Sequence, residues 1–350
     1  TELVRLGEEG PGAEAGVPLV PEELPQQPDL SPDDTMGEAA RKILGFHFQH
    51  VLFHEPGTRA GEDPEELHDM RVASRRMRAA FRVFDGYLDD KALKPMRKGA
   101  QRTCASLGGV RDLDVFWGKT ETYIEGLTSE RRADLLPLRE AWEAERERAR
   151  EEMLEFLDGE RFKRFVDRSA ELLRTSDPWD VPGITKDGEA VPRRLKHVVP
   201  TVIYARAGGV LAYDEWVTKP KVSLKGLHRL RIAGKRLRYT LEFFEEVLAP
   251  QAGDLVKQVK RLQDHLGDLQ DAVVASELLR DFLTWGTWGG SGGGKKSNLP
   301  AEPVVAPGVA IYMADKQGEL QRLLMTFPDV WAYFQSQEFK QTVAVAVAPL

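Results

Sequence analysis

Cysteine is almost missing from these 350 residues: Cys104 stands alone. That excludes an internal disulfide framework and a cysteine-based zinc site. No apolar run reaches the ~18 residues of a membrane-spanning helix. The N-terminus lacks the basic-then-apolar pattern of a secretory signal. No GxxxxGK[ST], GxSxG or CxxC motif occurs, so the usual phosphate-loop, serine-hydrolase and thiol-redox signatures are absent. A reducing, cytoplasmic setting is the expectation. The chain begins at Thr1 rather than Met, as a piece of something longer would. Cys104, in a helical pattern beside Thr103, Ala105 and Leu107, is expected to be buried and structural.

Hydrophobic residues make up 41% of the chain and charged ones 30%, enough for a real core under a solvated surface. The net charge of −7 argues against a polyanionic partner, but its distribution reverses that inference. Arg71, Arg75, Arg76, Arg78 and Arg82 fall within residues 70–84 with no acid among them. Lys225, Arg229, Arg231, Lys235, Arg236 and Arg238 do the same within 225–241.

Residues 1–32, rich in proline and glycine, read as a linker or tail. Apolar periodicity predicts helices from Asp33, as an N-cap, and over 64–86, 91–106, 111–125, 129–157 and 160–174, an N-terminal bundle of residues 33–175. A linker at 176–189 follows, then a C-terminal bundle over 190–350 with helices at 190–215, 222–247, 251–265, 269–284, 309–326 and 329–345. Pro137 and Pro200 are expected to kink or break their helices. Residues 286–298 form a glycine-rich loop. No alternating strand pattern appears, so the fold class is all-α.

An internal repeat organises the rest. LHDMRVASRRMRAAFRVFDGYL (67–88) aligns with LHRLRIAGKRLRYTLEFFEEVL (227–248) at an offset of 160. Lys98, Arg102, Gly108 and Asp112 recur as Lys257, Arg261, Gly267 and Asp271 at 159. Two copies of one unit imply two bundles related by approximate two-fold symmetry.

In each copy Leu67, Met70, Ser74 and Met77, or Leu227, Leu230, Gly234 and Leu237, step by three and four and define a core stripe. One position round lie His68, Arg71, Arg75, Arg78 and Arg82, matched by His228, Arg231, Lys235 and Arg238. Stacked like charges repel, so two such rows without acids point to a fixed anion. Arginine's planar fork suits phosphate, and a ridge repeating every ~5.4 Å can track a linear chain of them. Arg76 and Arg236 point to another face. Lys98 with Arg102, and Lys257 with Arg261, are candidates on the next helix. Arg41, Lys42, Arg193, Arg194 and Lys196 are candidates to close the ring from the opening helices.

Other readings stay open at this point. The arginines can instead pair internally with acids in a scaffold. His68-Asp69 mimics the dyad of metal phosphohydrolases, but the second copy reads His228-Arg229 and no supporting ligand set is found. His47, His50 and His54 share a helix face and read as surface or core residues. Asp112, Asp114, Asp268 and Asp271 are expected to follow Leu-Gly turns, cap the next helix and pair with nearby arginines. A nucleic-acid binder would interleave exposed aromatics with its cations, and Phe81, Phe84, Phe243 and Phe244 fall on or near core stripes instead.

HxxRVxxRRxR (His68 to Arg78), HxxRIxxKRLR (His228 to Arg238), LGGVRDLDV (107–115) and LGDLQDAVV (266–274) together resemble the CHAD family, the conserved-histidine α-helical domain, over residues 33–345. The resemblance implies two four-helix bundles with pseudo-two-fold symmetry and a basic groove or pore between them, which binds inorganic polyphosphate without catalysis or cofactor, and association with polyphosphate granules. By motif match the binding role falls on His68, Arg71, Arg75, Arg76, Arg78, His228, Arg231, Lys235, Arg236 and Arg238, and more loosely on Lys98, Arg102, Lys257 and Arg261. Lys235 loses the bidentate fork, and Gln270 replaces Arg111, so the halves are expected to bind unequally. Relatives often carry a CYTH-type triphosphatase domain upstream; the proline-rich start resembles the linker after one, and no ExExK signature is present. The alternatives are a metal-dependent phosphohydrolase acting on phosphoanhydrides, or an accessory domain of a triphosphatase.

Overall fold

A computed structural model describes residues 23–175, 179–219, 222–286, 288 and 304–350. Helices dominate: α1 (Met36–Ala60), α2 (Pro64–Val83), α3 (Asp90–Glu125), α4 (Ser129–Ala133), α5 (Leu136–Asp158), α6 (Glu160–Arg174), α7 (Leu195–Leu211), α8 (Asp214–Val217), α9 (Leu224–Phe243), α10 (Ala252–Trp285), α11 (Pro307–Gln335) and α12 (Gln337–Ala346). The fold is all-α. The strand content among the described residues is one antiparallel pair, Gly183–Ile184 with Ala190–Val191.

Local chemistry explains the helix ends. Thr35, not Asp33, caps α1, in a reciprocal capping box with Glu38, and left-handed Gly61 closes it. Asp63 caps α2 ahead of Pro64, whose missing N–H costs nothing in a first turn. Ser223 caps α9. The expected helix over 129–157 is broken ahead of Pro137, between α4 and α5, and Pro137 sits in the first turn of α5, whereas Pro200 lies inside an unbroken α7.

The expected Leu-Gly turns do not exist. Gly108 and Gly109 lie inside α3, and Gly267 inside α10, helices of 36 and 34 residues. A glycine in a helix interior costs only ~1 kcal/mol, less than the packing of a long amphipathic helix returns. Gly108 packs against Arg71, whose Nε lies 3.6 Å from where a Cβ would stand, an ordinary contact distance. Asp112, Asp114, Asp268 and Asp271 therefore cap nothing and act only as ion-pair partners.

Each half of the chain runs through the same neighbour order. In the first half α1 packs on α2, α2 on α3, and α3 on α5 and α6. In the second half α7 packs on α9, α9 on α10, and α10 on α11 and α12. The halves meet where α2 crosses α9, and there Phe84 stands edge-on to Phe244, the residue it aligns with in sequence, with ring centroids 5.6 Å apart. One continuous apolar core runs from Met36 on α1 through both halves to Val347. A smaller cluster joins α3, α10 and α11 around Phe116, Leu279 and Tyr312.

The described part of the segment between the halves is packed. Trp179 is fully buried, Asp180 accepts from the Gly37 N–H at 2.8 Å, and Val181 N–H donates to the Tyr87 carbonyl. Residues 1–22 of the expected tail, 176–178, and all of the glycine-rich loop except Gly286 and Trp288 lie outside the described residues.

Candidate anion-binding cleft

The two cationic rows face each other. Arg75, Arg78 and Arg82 from α2 line one cavity of about 230 Å³ together with Lys235 and Arg236 from α9. Ile232 and Tyr239 form its apolar wall. A second cavity, of about 380 Å³, shares Arg78, Arg82, Arg206 and Arg236 with the first, and the two form one cleft. Arg78 also donates to the buried Cys104 thiol at 3.2 Å, which places that sulfur behind the cleft-lining guanidinium.

The electrostatic cost of this arrangement is visible at single atoms. The Nε–H groups of Arg71, Arg75, Arg111, Arg206, Arg231 and Arg238 are buried without a hydrogen-bond partner among the described residues. Buried donors are nearly always satisfied, so Arg75 and Arg206, which also line the cleft, each hold a donor open to a bound acceptor, whereas the Arg238 Nε stands 3.2 Å from Glu242. Lys235 is pushed down to about 8, first by burial and then by the positive charges of Arg231, Arg75, Arg238 and Arg71. Burial also lowers Arg231, with Arg75 adding repulsion and Asp271 opposing it, and lowers Arg206, where Arg236 adds to the effect.

Acids temper the rest of the rows. Arg71 pairs with the largely exposed Asp112 at 2.6 Å. Asp271, the counterpart of Asp112, is held by Lys119 of α3 at 2.7 Å, and Asp268 by the same amine at 3.2 Å. Glu242 sits 3.2 Å from both Arg76 and Arg238 and ties the halves together, though neither contact aligns as a hydrogen bond. Arg76 and Arg238 are thus first structural cations. With both neighbours charged and Glu242 only 15% exposed, Glu242→Gln is expected to destabilise the fold by about 2–3 kcal/mol, read from the urea midpoint.

Several predicted residues lie elsewhere. Arg41 reaches the Leu173 carbonyl, and Lys42 pairs with Asp34 at 2.8 Å. Arg193 binds the Gly86 carbonyl, Arg194 the Asp33 carbonyl, and Lys196 the Asp33 carboxylate. These five fasten the entries of α1 and α7 and do not close a ring. Lys98, Arg102 and Arg261 are exposed away from the cleft, and Lys257 pairs with Asp254 at 3.0 Å. One position back on α3, Arg97 and Gln101 line the larger cavity instead. His228 is exposed and bonded to Gln270 at 2.8 Å, while half-buried His68 stands one turn ahead of Arg71. Asp69 faces a separate cavity lined by His47, His50 and His54, away from the channel. There His47 is held neutral by burial, then by Arg76 and His50. Arg206, Arg97, Gln101, Lys119 and Glu242 are contributions that the motif reading missed.

By fold and site this is an all-helical protein built around a cationic cleft between its two halves. The family model of the CHAD domain matches residues 42–280, and the chain belongs to that family. Two solved structures share the fold. One is the CHAD domain from the plant Ricinus communis, 21% identical over 89% of this chain and 96% of that one, with a TM-score of 0.62. The other is PptA from Streptomyces chartreusis, 15% identical over 85% of this chain and 100% of that one, also at 0.62. No curated protein matches the chain. Among the described residues no helix is long and apolar enough to cross a membrane, and no group of three or more His, Cys, Asp and Glu side chains is arranged to hold a metal ion.

Proposed function

We propose that this protein binds inorganic polyphosphate in the cleft between α2 and α9 and holds it without breaking it. The carrying observation is the facing of Arg75 and Arg78 with Lys235 and Arg236 around a shared cavity, with no acid paired to any of the four among the described residues and the buried Arg75 Nε–H left without an acceptor. A linear chain of phosphates supplies what these groups lack, a closely spaced series of oxygen acceptors with negative charge. The separation of His68 from Asp69, which faces the histidine cavity, supports binding over a dyad hydrolase. Membership of the CHAD family supports polyphosphate as the anion and granules as the place of action.

Titration calorimetry across salt concentrations tests this reading. If about six cations engage, affinity is expected to fall roughly 10²-fold or more between 50 and 200 mM salt. A salt-independent affinity would contradict an electrostatic cleft, and phosphate release by the purified protein would contradict the non-catalytic part.

A further inference from the structure

The cleft is not uniform along its length. At one end the cations are answered by carboxylates: Asp112 holds Arg71, and Asp271, engaged by Lys119, lies beside Arg231. At the other end α2 finishes, α3 begins and α7 passes close by. There Arg78, Arg82, Arg97, Arg206 and Arg236 surround the cavity of about 380 Å³; Asp85 is the one carboxylate among the described lining residues, and Asp90, outside the lining, pairs with Arg97. Gln101 adds a neutral amide donor, and Phe81 adds an apolar surface.

Arg206 is the telling residue. Its Nε–H is buried with no hydrogen-bond partner among the described residues, and its side chain makes a long contact, 3.4 Å, to the Arg82 carbonyl. It also lies close enough to Arg236 to be repelled by it. Packing alone does not call for a half-buried guanidinium facing other guanidiniums; an anion of high charge density in the cavity does. Phosphoanhydride chains differ along their length in the same sense: an interior unit carries one negative charge, whereas an end phosphate approaches two at neutral pH. The volume equals about a dozen waters at ~30 Å³ each, a compact rather than an extended guest.

We propose that the mouth formed by Arg97, Gln101 and Arg206 with Arg82 and Arg236 is a terminal-phosphate subsite. It takes the doubly charged end of a phosphoanhydride chain, and it binds compact oligophosphates such as tripolyphosphate on its own. This rests on the polyphosphate reading and adds to it a direction along the cleft and a ligand class of short chains.

Calorimetry with two probes, tripolyphosphate and long-chain polyphosphate, separates the two levels. In the wild-type protein both bind. In R97M/R206M, tripolyphosphate affinity is expected to fall by about ten-fold or more, and that for long chains by only a few-fold, because the interior ridges remain. Wild-type binding of long chains without tripolyphosphate, or equal losses for both probes in the double variant, overturns the subsite and leaves the polyphosphate reading standing. Failure of both probes on wild-type protein sinks the reading itself. A melting curve checks the variant's fold. Should R97M/R206M not fold, Asp85→Asn decides: removing the carboxylate that lines the cavity is expected to tighten tripolyphosphate a few-fold, and no tightening overturns the proposal.

Discussion

Replacing Arg75, Arg78, Lys235 and Arg236 together with alanine is expected to lower polyphosphate affinity by about 10³-fold or more while the helical circular dichroism stays unchanged. These four line the shared cavity, and none is paired with an acid there among the described residues. A charge-assisted hydrogen bond contributes about 1.5–3 kcal/mol, so losing even three passes 4 kcal/mol, or three decades. The same substitutions relieve mutual repulsion, so the melting temperature is expected to hold or rise. Arg71 and Arg238 make poorer targets, since Asp112 and Glu242 hold them and their loss disturbs those acids as well. A quadruple variant that binds as wild type would place the anion elsewhere.

The second large effect concerns Lys235. Unfolded, its amine has the ordinary lysine value of 10.5; folded, it titrates near 8. Below pH 8 the folded state carries an unwelcome proton there, and the penalty fades as pH rises from 8 to 10.5, so this residue's contribution makes the fold more stable through that window. Binding runs the other way. A polyanion beside the amine raises its value again, so affinity is full below pH 8 and declines above it, by at most ten-fold per pH unit. Wild-type affinity is therefore expected to fall about ten-fold or more between pH 7.5 and 9.5. Lys235→Arg, which restores the residue type of Arg75, keeps its charge and is expected to remove that fall. Lys235→Met is expected to bind more weakly with little dependence on pH, and to melt a few degrees higher. A steep decline retained in the arginine variant would assign the proton to another group.

The pattern of the two ridges was legible in one dimension because a helix converts steps of three and four into a face. Leu67, Met70, Ser74 and Met77, with Leu227, Leu230, Gly234 and Leu237, are all buried, which leaves the arginine row no choice but the adjoining face. Helix continuity was less legible. Glycines 108, 109 and 267 look like turns in isolation, and only the packing of α3 and α10 carries the helix through them. The opening-helix cations misled because charge says nothing about its partner: Asp33, Asp34 and four main-chain carbonyls claim Arg41, Lys42, Arg193, Arg194 and Lys196. Lys98 and Arg102 missed the cleft by one position, since 100° of rotation separates neighbours on a helix and Arg97 and Gln101 occupy the inward face. Arg206 carried no motif at all. It joins the site because α7 passes the end of α2, a fact of tertiary structure.

Diffraction from crystals grown with polyphosphate tests the central claim most directly. The expected result is a file of anion density lying between α2 and α9, in contact with Arg75, Arg78 and Lys235 and reaching Arg206. Density confined to the outer helix faces, with the cleft holding only water, would contradict it.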